Sequence, residues 1–197
     1  AARTYKKIHK WSASPLETQN RVFQSLISQA AATSFGVDHD FTSINSHADF
    51  VKRVPVRDYE ALKPYVDKVV AGEADVLWKG KPLYFAKTSG TTSGAKYIPI
   101  TKESMPSHIE AAKNAILLYI HQTGNTQIVD RKMIFLQGSP VLEDKNGVQL
   151  GRLSGIVAHY VPKYLQKNRL PSWAFDLYNK FLPTPNSNSK VNPFLLI

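Results

Sequence analysis

Phe85-Ala86-Lys87-Thr88-Ser89-Gly90-Thr91-Thr92-Ser93-Gly94-Ala95-Lys96-Tyr97-Ile98-Pro99-Ile100-Thr101 is the stretch whose reading decides the fold. Its flanks read as short strands. Leu83 to Ala86 is a continuous apolar run, and Tyr97 to Ile100 is a second one. Between them, Thr88 to Lys96 holds five hydroxyls, two glycines and a lysine in nine residues. Glycines let a tight turn point its backbone N–H groups into a concavity. The hydroxyls add short rotatable donors, and the lysine adds a compact positive charge. Such a set makes a cradle for a polyphosphate, with a polar hairpin loop as the plain alternative. Three other templates fail. A Walker loop needs its lysine directly after the second glycine, and Lys96 is one residue too far. A nucleophile elbow needs serine midway between two glycines, and Ser93 comes one place late. The Gly-x-Gly-x-x-Gly dinucleotide fingerprint is absent.

The charge around this stretch agrees with an anion site. From Val76 to Lys102 there is no carboxylate, yet Lys79, Lys81, Lys87, Lys96 and Lys102 are present. A second window without carboxylates runs from Lys145 to Phe175 and holds Lys145, Arg152, Lys163, Lys167 and Arg169. Positive fields of this kind attract phosphate; a solvated basic surface is the other reading of each window. The whole chain is +10 with a pI near 9.7, the excess shared evenly by its two halves. A nucleic-acid partner is disfavoured, because no Arg-rich run, aromatic ribonucleoprotein motif or basic recognition helix accompanies that charge.

Working outward, the residues before Trp78 read as helical. Ser14-Pro15-Leu16-Glu17 has the form of a capping box with proline at the first helical position. Leu16, Phe23, Leu26, Ile27, Ala30 and Ala31 recur at helical spacing, and Gly36 is expected to end that helix in a left-handed conformation. Ser46 to Lys52 reads as a short helix stopped by Pro55. Asp58 is expected to cap Tyr59 to Lys63, and Pro64 to open further turns that end at Gly72. After the Lys79-Gly80-Lys81-Pro82 turn the strands begin. A long helix from about Lys102 to Thr123 follows, with Met105, Ile109, Ala112, Ile116 and Tyr119 as its apolar stripe and Gly124 as its stop. Met133 to Leu136 reads as a buried strand, and Val141 to Leu150 as a hairpin turning at Asn146-Gly147. Gly151 to Gly155 reads as a loop. Tyr160, Tyr164 and Trp173 mark an aromatic segment, and no repeat is visible.

Composition sets outer limits. At 197 residues, with 43% apolar and 20% charged residues, the chain is long enough for one sizeable core. The lack of cysteine removes disulfide frameworks, thiolate zinc sites and cysteine nucleophiles. The longest apolar run is too short to span a membrane, and the N-terminus lacks a secretory apolar stretch, so a cytoplasmic protein is expected.

Phe85 to Thr101 resembles the nucleotide-binding motif of the Gretchen Hagen type auxin-responsive family of acyl-acid amido synthetases, within the adenylate-forming superfamily. Arg53 to Trp78 is similar to the same family in its Val-Pro, Asp-Tyr-Glu, Lys-Pro-Tyr and Gly-Glu run. The likeness runs from about Phe23 to Trp173. It implies an α/β fold: a helical N-terminal region, then mixed strands and helices of a partial adenylate-forming (acyl-CoA synthetase/luciferase-like) large domain. Residues 1–173 would be the N-terminal part of the adenylation domain, and 174–197 a divergent tail, loop-like or disordered. It implies a ligase that adenylates a small carboxylic acid, auxin- or jasmonate-like, with ATP and Mg²⁺ and conjugates it to an amino acid. Thr88, Ser89, Gly90, Thr91, Thr92, Ser93 and Gly94 match the phosphate-binding loop, and Lys96 is the catalytic candidate. Ser154 and Gly155 carry over weakly as acyl-pocket residues.

The family's adenine, ribose and metal motifs and its mobile C-terminal domain have no counterpart in this sequence. A truncated enzyme is therefore expected, with a non-catalytic nucleotide-binding fragment or regulatory relative as the alternative. No metal ligands are assigned. His108 has no second ligand-type residue at metal spacing, and His39 with Asp38 and Asp40 is an isolated trio in an expected loop. Glu103 and Glu110 are expected to be solvated, Trp11, Trp78 and Trp173 to anchor core or loop, and Tyr119 to face the core.

Overall fold

Side-chain oxygens decide where most of the early helices begin. The computed structural model describes residues 1–88, 95–134, 139, 141–161 and 168–170. The first element, α1 (Ala2–Ser12), buries none of its residues. Tyr5 stacks on His121 at 4.2 Å, and Lys7 pairs with Glu110 at 3.3 Å. Tyr5, Ile8 and Trp11 recur at helical spacing along it, a signal that sequence reasoning passed over. The next, α2 (Pro15–Ala30), starts with its proline as expected, but the capping box does not form. Ser14 has ψ 68° and its hydroxyl caps nothing. Only Ala13 and Ser14 separate the two helices, so the helices set the backbone there. The Thr18 hydroxyl donates to the Trp11 carbonyl across the junction at 3.1 Å.

Gly36 corrects the expectation for the end of α2. The helix stops at Ala30, and Gly36 lies inside α3 (Ser34–Asp38) with no positive φ. A Cβ there would stand 2.1 Å from the Ala30 carbonyl oxygen, so close approach of two backbones requires the glycine. Thr33 caps α3, accepting from the Gly36 N–H at 3.0 Å and donating to the Ala30 carbonyl at 2.7 Å. The free N–H groups of Ser34 and Phe35 reach the carbonyls of Asp75 and Val76. A 3₁₀ turn (Phe41–Ser43) leads to α4 (His47–Arg53), capped by Ser46. Asp58 caps α5 (Tyr59–Val70) by accepting from the Ala61 N–H at 2.9 Å. This last helix runs unbroken through Pro64 where two segments were expected. An interior proline costs about 3 kcal/mol, and burying Val66 and Val69 returns roughly 1.5–3 kcal/mol each. Ile27, Ala30, Phe41 and Ile44 form the core of this front, with Phe23, Phe35, Phe50 and Trp78 against it.

The chain then lays down β1 (Tyr84–Lys87), β2 (Tyr97–Ile100) and α6 (Met105–Thr123), which Gly124 closes at φ 70°. After α7 (Gln127–Asp130) and β3 (Met133–Ile134) come β4 (Glu143–Lys145), β5 (Val148–Gly151) and α8 (Leu153–Ala158). Asn146 and Gly147, both at positive φ, make the expected turn between β4 and β5. The sheet order is β2-β1-β5-β4. Its centre, β1, is antiparallel to β2 and parallel to β5. Phe85 points to one face, into Val69, Val76, Val148 and Leu150. Ala86 points to the other, into Ile100, Met105 and Ile156. Burial on both faces is why β1 reads as a continuous apolar run.

The chain forms two compact units, this body of Ala1–Asn125 with Gln137–Tyr160 and a second of Thr126–Leu136 with Val161–Ile197. In the second unit β3 pairs in parallel with β6 (Arg169–Leu170), and the Asn168 side chain donates to the Val129 carbonyl at 2.9 Å. The expected buried strand at Met133 to Leu136 is a strand at its first two residues, but Ile134 is 74% exposed. A two-stranded pair leaves a face uncovered. Phe135 and Leu136 lie outside the described residues, as do Tyr164, Trp173 and all of 174–197. Among the described residues no helix is long and apolar enough to cross a membrane.

Candidate functional site

Strand direction assembles the candidate site. Because β1 and β5 are parallel, their carboxyl ends lie at one edge of the sheet, with Ala86 opposite Gly151. Because β2 is antiparallel to β1, it starts at the same edge, with Lys87 opposite Tyr97. Thr88, Lys96 and the chain after Gly151 therefore meet there, the edge at which parallel α/β sheets bind ligands.

Thr88 and Lys96 form the foot of the loop between β1 and β2. The Thr88 N–H donates to the Lys96 carbonyl at 3.1 Å, and the Lys96 N–H donates to the Thr88 hydroxyl oxygen at 3.3 Å. Closing the foot by two bonds fixes where the loop departs and returns, and the Thr88 O–H hydrogen remains a donor. Ser89, Gly90, Thr91, Thr92, Ser93 and Gly94 lie outside the described residues.

The side chain of Lys96 is half-buried, its Nζ 5.2 Å from the centroid of the Tyr59 ring. Tyr59 is the first residue of α5, placed by the Asp58 cap, and its hydroxyl accepts the Tyr97 N–H at 2.9 Å. Sequence reasoning missed Tyr59. Its contact with the loop spans 37 positions, and the available signal was the Asp-Tyr-Glu triplet quoted for the resemblance.

The segment expected as a loop at Gly151 to Gly155 is a helix start. Arg152 is the N-cap of α8, Ser154 is exposed in its first turn, and Gly155 is buried. Ile156, fully buried against Ala86, pulls this segment into helix. The far end of α8 is held by Tyr160, whose hydroxyl lies 3.0 Å from that of Tyr84. That bond, with burial, pushes the Tyr160 phenol up to about 12, so it stays protonated and able to donate.

The basic window before Lys102 is not one patch. Lys79 turns away to Gln29 at 3.1 Å and Glu103 at 3.9 Å, leaving Lys87 and Lys96 at the foot of the loop. Nor are the two glutamates unpartnered. Glu103 accepts the Trp78 indole N–H at 3.2 Å, and Glu110 pairs with Lys7. The Glu103 carboxyl is held below its ordinary value, first by its own backbone N–H and then by the Trp78 bond. Trp78 packs on the front core, whereas Trp11 and Tyr119 are exposed rather than core anchors. His39 is a core histidine, its Nδ1 2.8 Å from the Phe35 carbonyl. Among the described residues no group of His, Asp and Glu could hold a metal ion.

Comparison with known proteins agrees with this architecture. The family model described as the GH3 family N-terminal domain matches residues 4–187. The indole-3-acetic acid-amido synthetase GH3.15 of Arabidopsis thaliana is 29% identical over 140 residues, covering 68% of this chain and 22% of the relative. The jasmonoyl-L-amino acid synthetase JAR4 of Nicotiana attenuata is 23% identical over 136 residues, covering 68% and 23%. The chain thus spans less than a quarter of the length of these curated relatives. A solved GH3.15 acyl acid amido synthetase superposes with a TM-score of 0.68 at 22% identity, over 79% of this chain and 28% of that one. The same enzyme in complex with 2,4-DB gives 0.59 at 26% identity, over 76% and 26%. With the family model covering nearly the whole sequence and the sheet, its helical front and the superposed structures in agreement, the chain belongs to the GH3 family as an α/β portion of its N-terminal domain.

Proposed function

We propose that this chain carries the triphosphate-binding edge of an ATP-dependent acyl-acid amido synthetase. A carboxylate oxygen of a small organic acid attacks the α-phosphorus of ATP, and pyrophosphate leaves. The amine of an amino acid then attacks the acyl carbon, and AMP leaves. Ser89 to Gly94 would offer N–H and hydroxyl donors to the phosphates, and Lys96 would neutralise charge as pyrophosphate departs. Catalysis of this kind is positioning plus electrostatic stabilisation. Mg²⁺ would come with the nucleotide, held chiefly by its phosphates. Ser154 and Gly155, at the end of the neighbouring parallel strand, are our candidates for the acyl side. In this reading residues 1–173 carry the adenylation fold, residues 174–197 form a tail, and the reaction runs in the ATP-rich cytoplasm.

One observation carries the reading: the closed Thr88–Lys96 foot, with its lysine, at the carboxyl edge of a parallel strand pair. Titration calorimetry with MgATP tests it. Lys96→Ala should weaken binding about 10- to 100-fold, the worth of a charge-assisted contact of roughly 1.5–3 kcal/mol. Unchanged affinity would sink the reading. A second reading is nucleotide binding without turnover. Pyrophosphate release with auxin-like and jasmonate-like acids separates the two readings. Binding without release supports the second.

A further inference from the structure

We propose that Tyr59 is a positioning residue for Lys96: its ring keeps the ammonium at the foot of the Thr88–Lys96 loop, and its hydroxyl holds the first peptide of β2. The proposal rests on the reading that Lys96 meets the phosphates of ATP.

The geometry is specific. The Lys96 Nζ lies 5.2 Å from the ring centroid, within the range of a cation–π contact. The Tyr59 hydroxyl accepts from the Tyr97 N–H at 2.9 Å, so one side chain fixes both the backbone next to Lys96 and its charged end. The ring is itself anchored, because Tyr59 opens α5 directly after the Asp58 cap. Neither carboxylate flanking Tyr59, Asp58 nor Glu60, pairs with Lys96: Asp58 accepts from the Ala61 N–H, and among the described residues Lys96 makes no ion pair.

Chemistry explains why a ring suits this place better than a carboxylate. Aspartate or glutamate at the position of Tyr59 would neutralise the ammonium and compete with an incoming phosphate. A ring attracts the cation weakly and leaves its full charge in place for an incoming phosphate. An unrestrained lysine would scatter over many rotamers and lose that entropy on meeting the ligand. The ring therefore pre-organises the cation without quenching it.

The test uses the full chain, MgATP, and the variants Tyr59→Leu, Tyr59→Phe and Lys96→Ala. The ring should shift the Lys96 ε-methylene protons upfield in NMR spectra and slow acetylation of that amine. Tyr59→Leu should abolish the shift, speed acetylation and weaken MgATP binding about two- to fivefold, the range of an exposed cation–π contact. Tyr59→Phe keeps the ring, so it should retain the shift and lose less affinity than Tyr59→Leu, its remaining loss being the hold of the hydroxyl on the Tyr97 N–H. It also keeps the proposal testable should Tyr59→Leu fail to fold. Equal losses in both variants would overturn it, since the hydroxyl alone would then matter. So would an unchanged Lys96 signal in Tyr59→Leu. If Lys96→Ala weakens MgATP binding while Tyr59→Leu does not, Tyr59 has no positioning role. If neither changes it, the phosphate reading itself falls, and the positioning with it.

Discussion

The front core around Ile27 and Phe41 is packed by aromatic rings meeting edge to face, whereas the core around Phe85 and Ala86 is packed by one strand with two buried faces. In the front, Phe23 meets Phe50 at 5.8 Å and 90°, and Phe35 meets Phe41 at 5.9 Å and 88°. Its helix ends are closed by Thr33, Ser46 and Asp58 and by backbone carbonyls. Those polar groups are occupied in holding the fold. At the sheet, three segments converge at one edge, where Thr88 and Lys96 close the foot of their loop on each other. The contrast teaches that the candidate site lies where strand ends converge, while the front serves as the support that brings Tyr59 to it.

The largest expected effect tests that division. Phe85→Ala removes a fully buried ring from the sheet core and should cost about 3–5 kcal/mol in urea unfolding. Phe85→Leu, nearer in volume, should cost less and stay folded, yet weaken MgATP binding, because Phe85 seats the strand that ends at Thr88. Phe41→Ala in the front should cost about 3 kcal/mol and leave MgATP affinity unchanged in the folded fraction. Equal loss of binding in Phe41→Ala and Phe85→Leu would break the comparison, making the front as much a part of the site as the sheet.

Next in size are two glycines that serve for different reasons. Gly36→Ala forces a Cβ against the Ala30 carbonyl and should cost about 1–3 kcal/mol, the usual range for overpacking. Gly124 has φ 70° and open space around it, so Gly124→Ala should cost about 1 kcal/mol from backbone strain alone. Thermal unfolding of the two variants ranks them. A Gly124 variant worse than the Gly36 one would mean that the α6 terminus matters more than the packing of α3 on α2.

Local chemistry made much of the fold legible. Asn146-Gly147, the short helix after Ser46, the Asp58 cap and the Gly124 stop are each decided within a few residues, and each is found in place. The strands on either side of Thr88 to Lys96 were legible because β1 is buried on both faces. What could not be read was decided at a distance. The parallel pairing of β1 with β5 joins residues more than 60 positions apart and leaves no local trace. Gly36 looks like a helix stop until the Ala30 carbonyl beside it is seen. The segment after Gly151 looks like a loop until Ile156 is found in the core. For the candidate site the loop was legible in composition, while Tyr59 was not, because an aromatic residue at a helix start has a dozen ordinary uses.

The smallest expected effect sharpens the same contrast at a single cap. In the front, Ser46 accepts the Asp49 N–H at 3.1 Å and donates its hydroxyl to the Asp49 carboxylate at 2.7 Å. The Ser46 bond first, and then the Asn45 N–H, hold the Asp49 carboxyl below its ordinary value of 3.8. A depressed carboxyl adds stability that is present above the unfolded value and is lost as pH falls through the folded one. Ser46→Ala should therefore cost about 1 kcal/mol at neutral pH, and the gap to the parent chain should narrow as pH falls from about 5 to about 3. Urea midpoints across that range measure it. MgATP affinity at neutral pH should not move, because α4 lies in the front and none of its residues reaches the edge where Thr88 and Lys96 meet. A gap that stayed constant with pH would show that the serine acts on the Asp49 N–H alone, and that the charged half of the cap adds nothing to the fold.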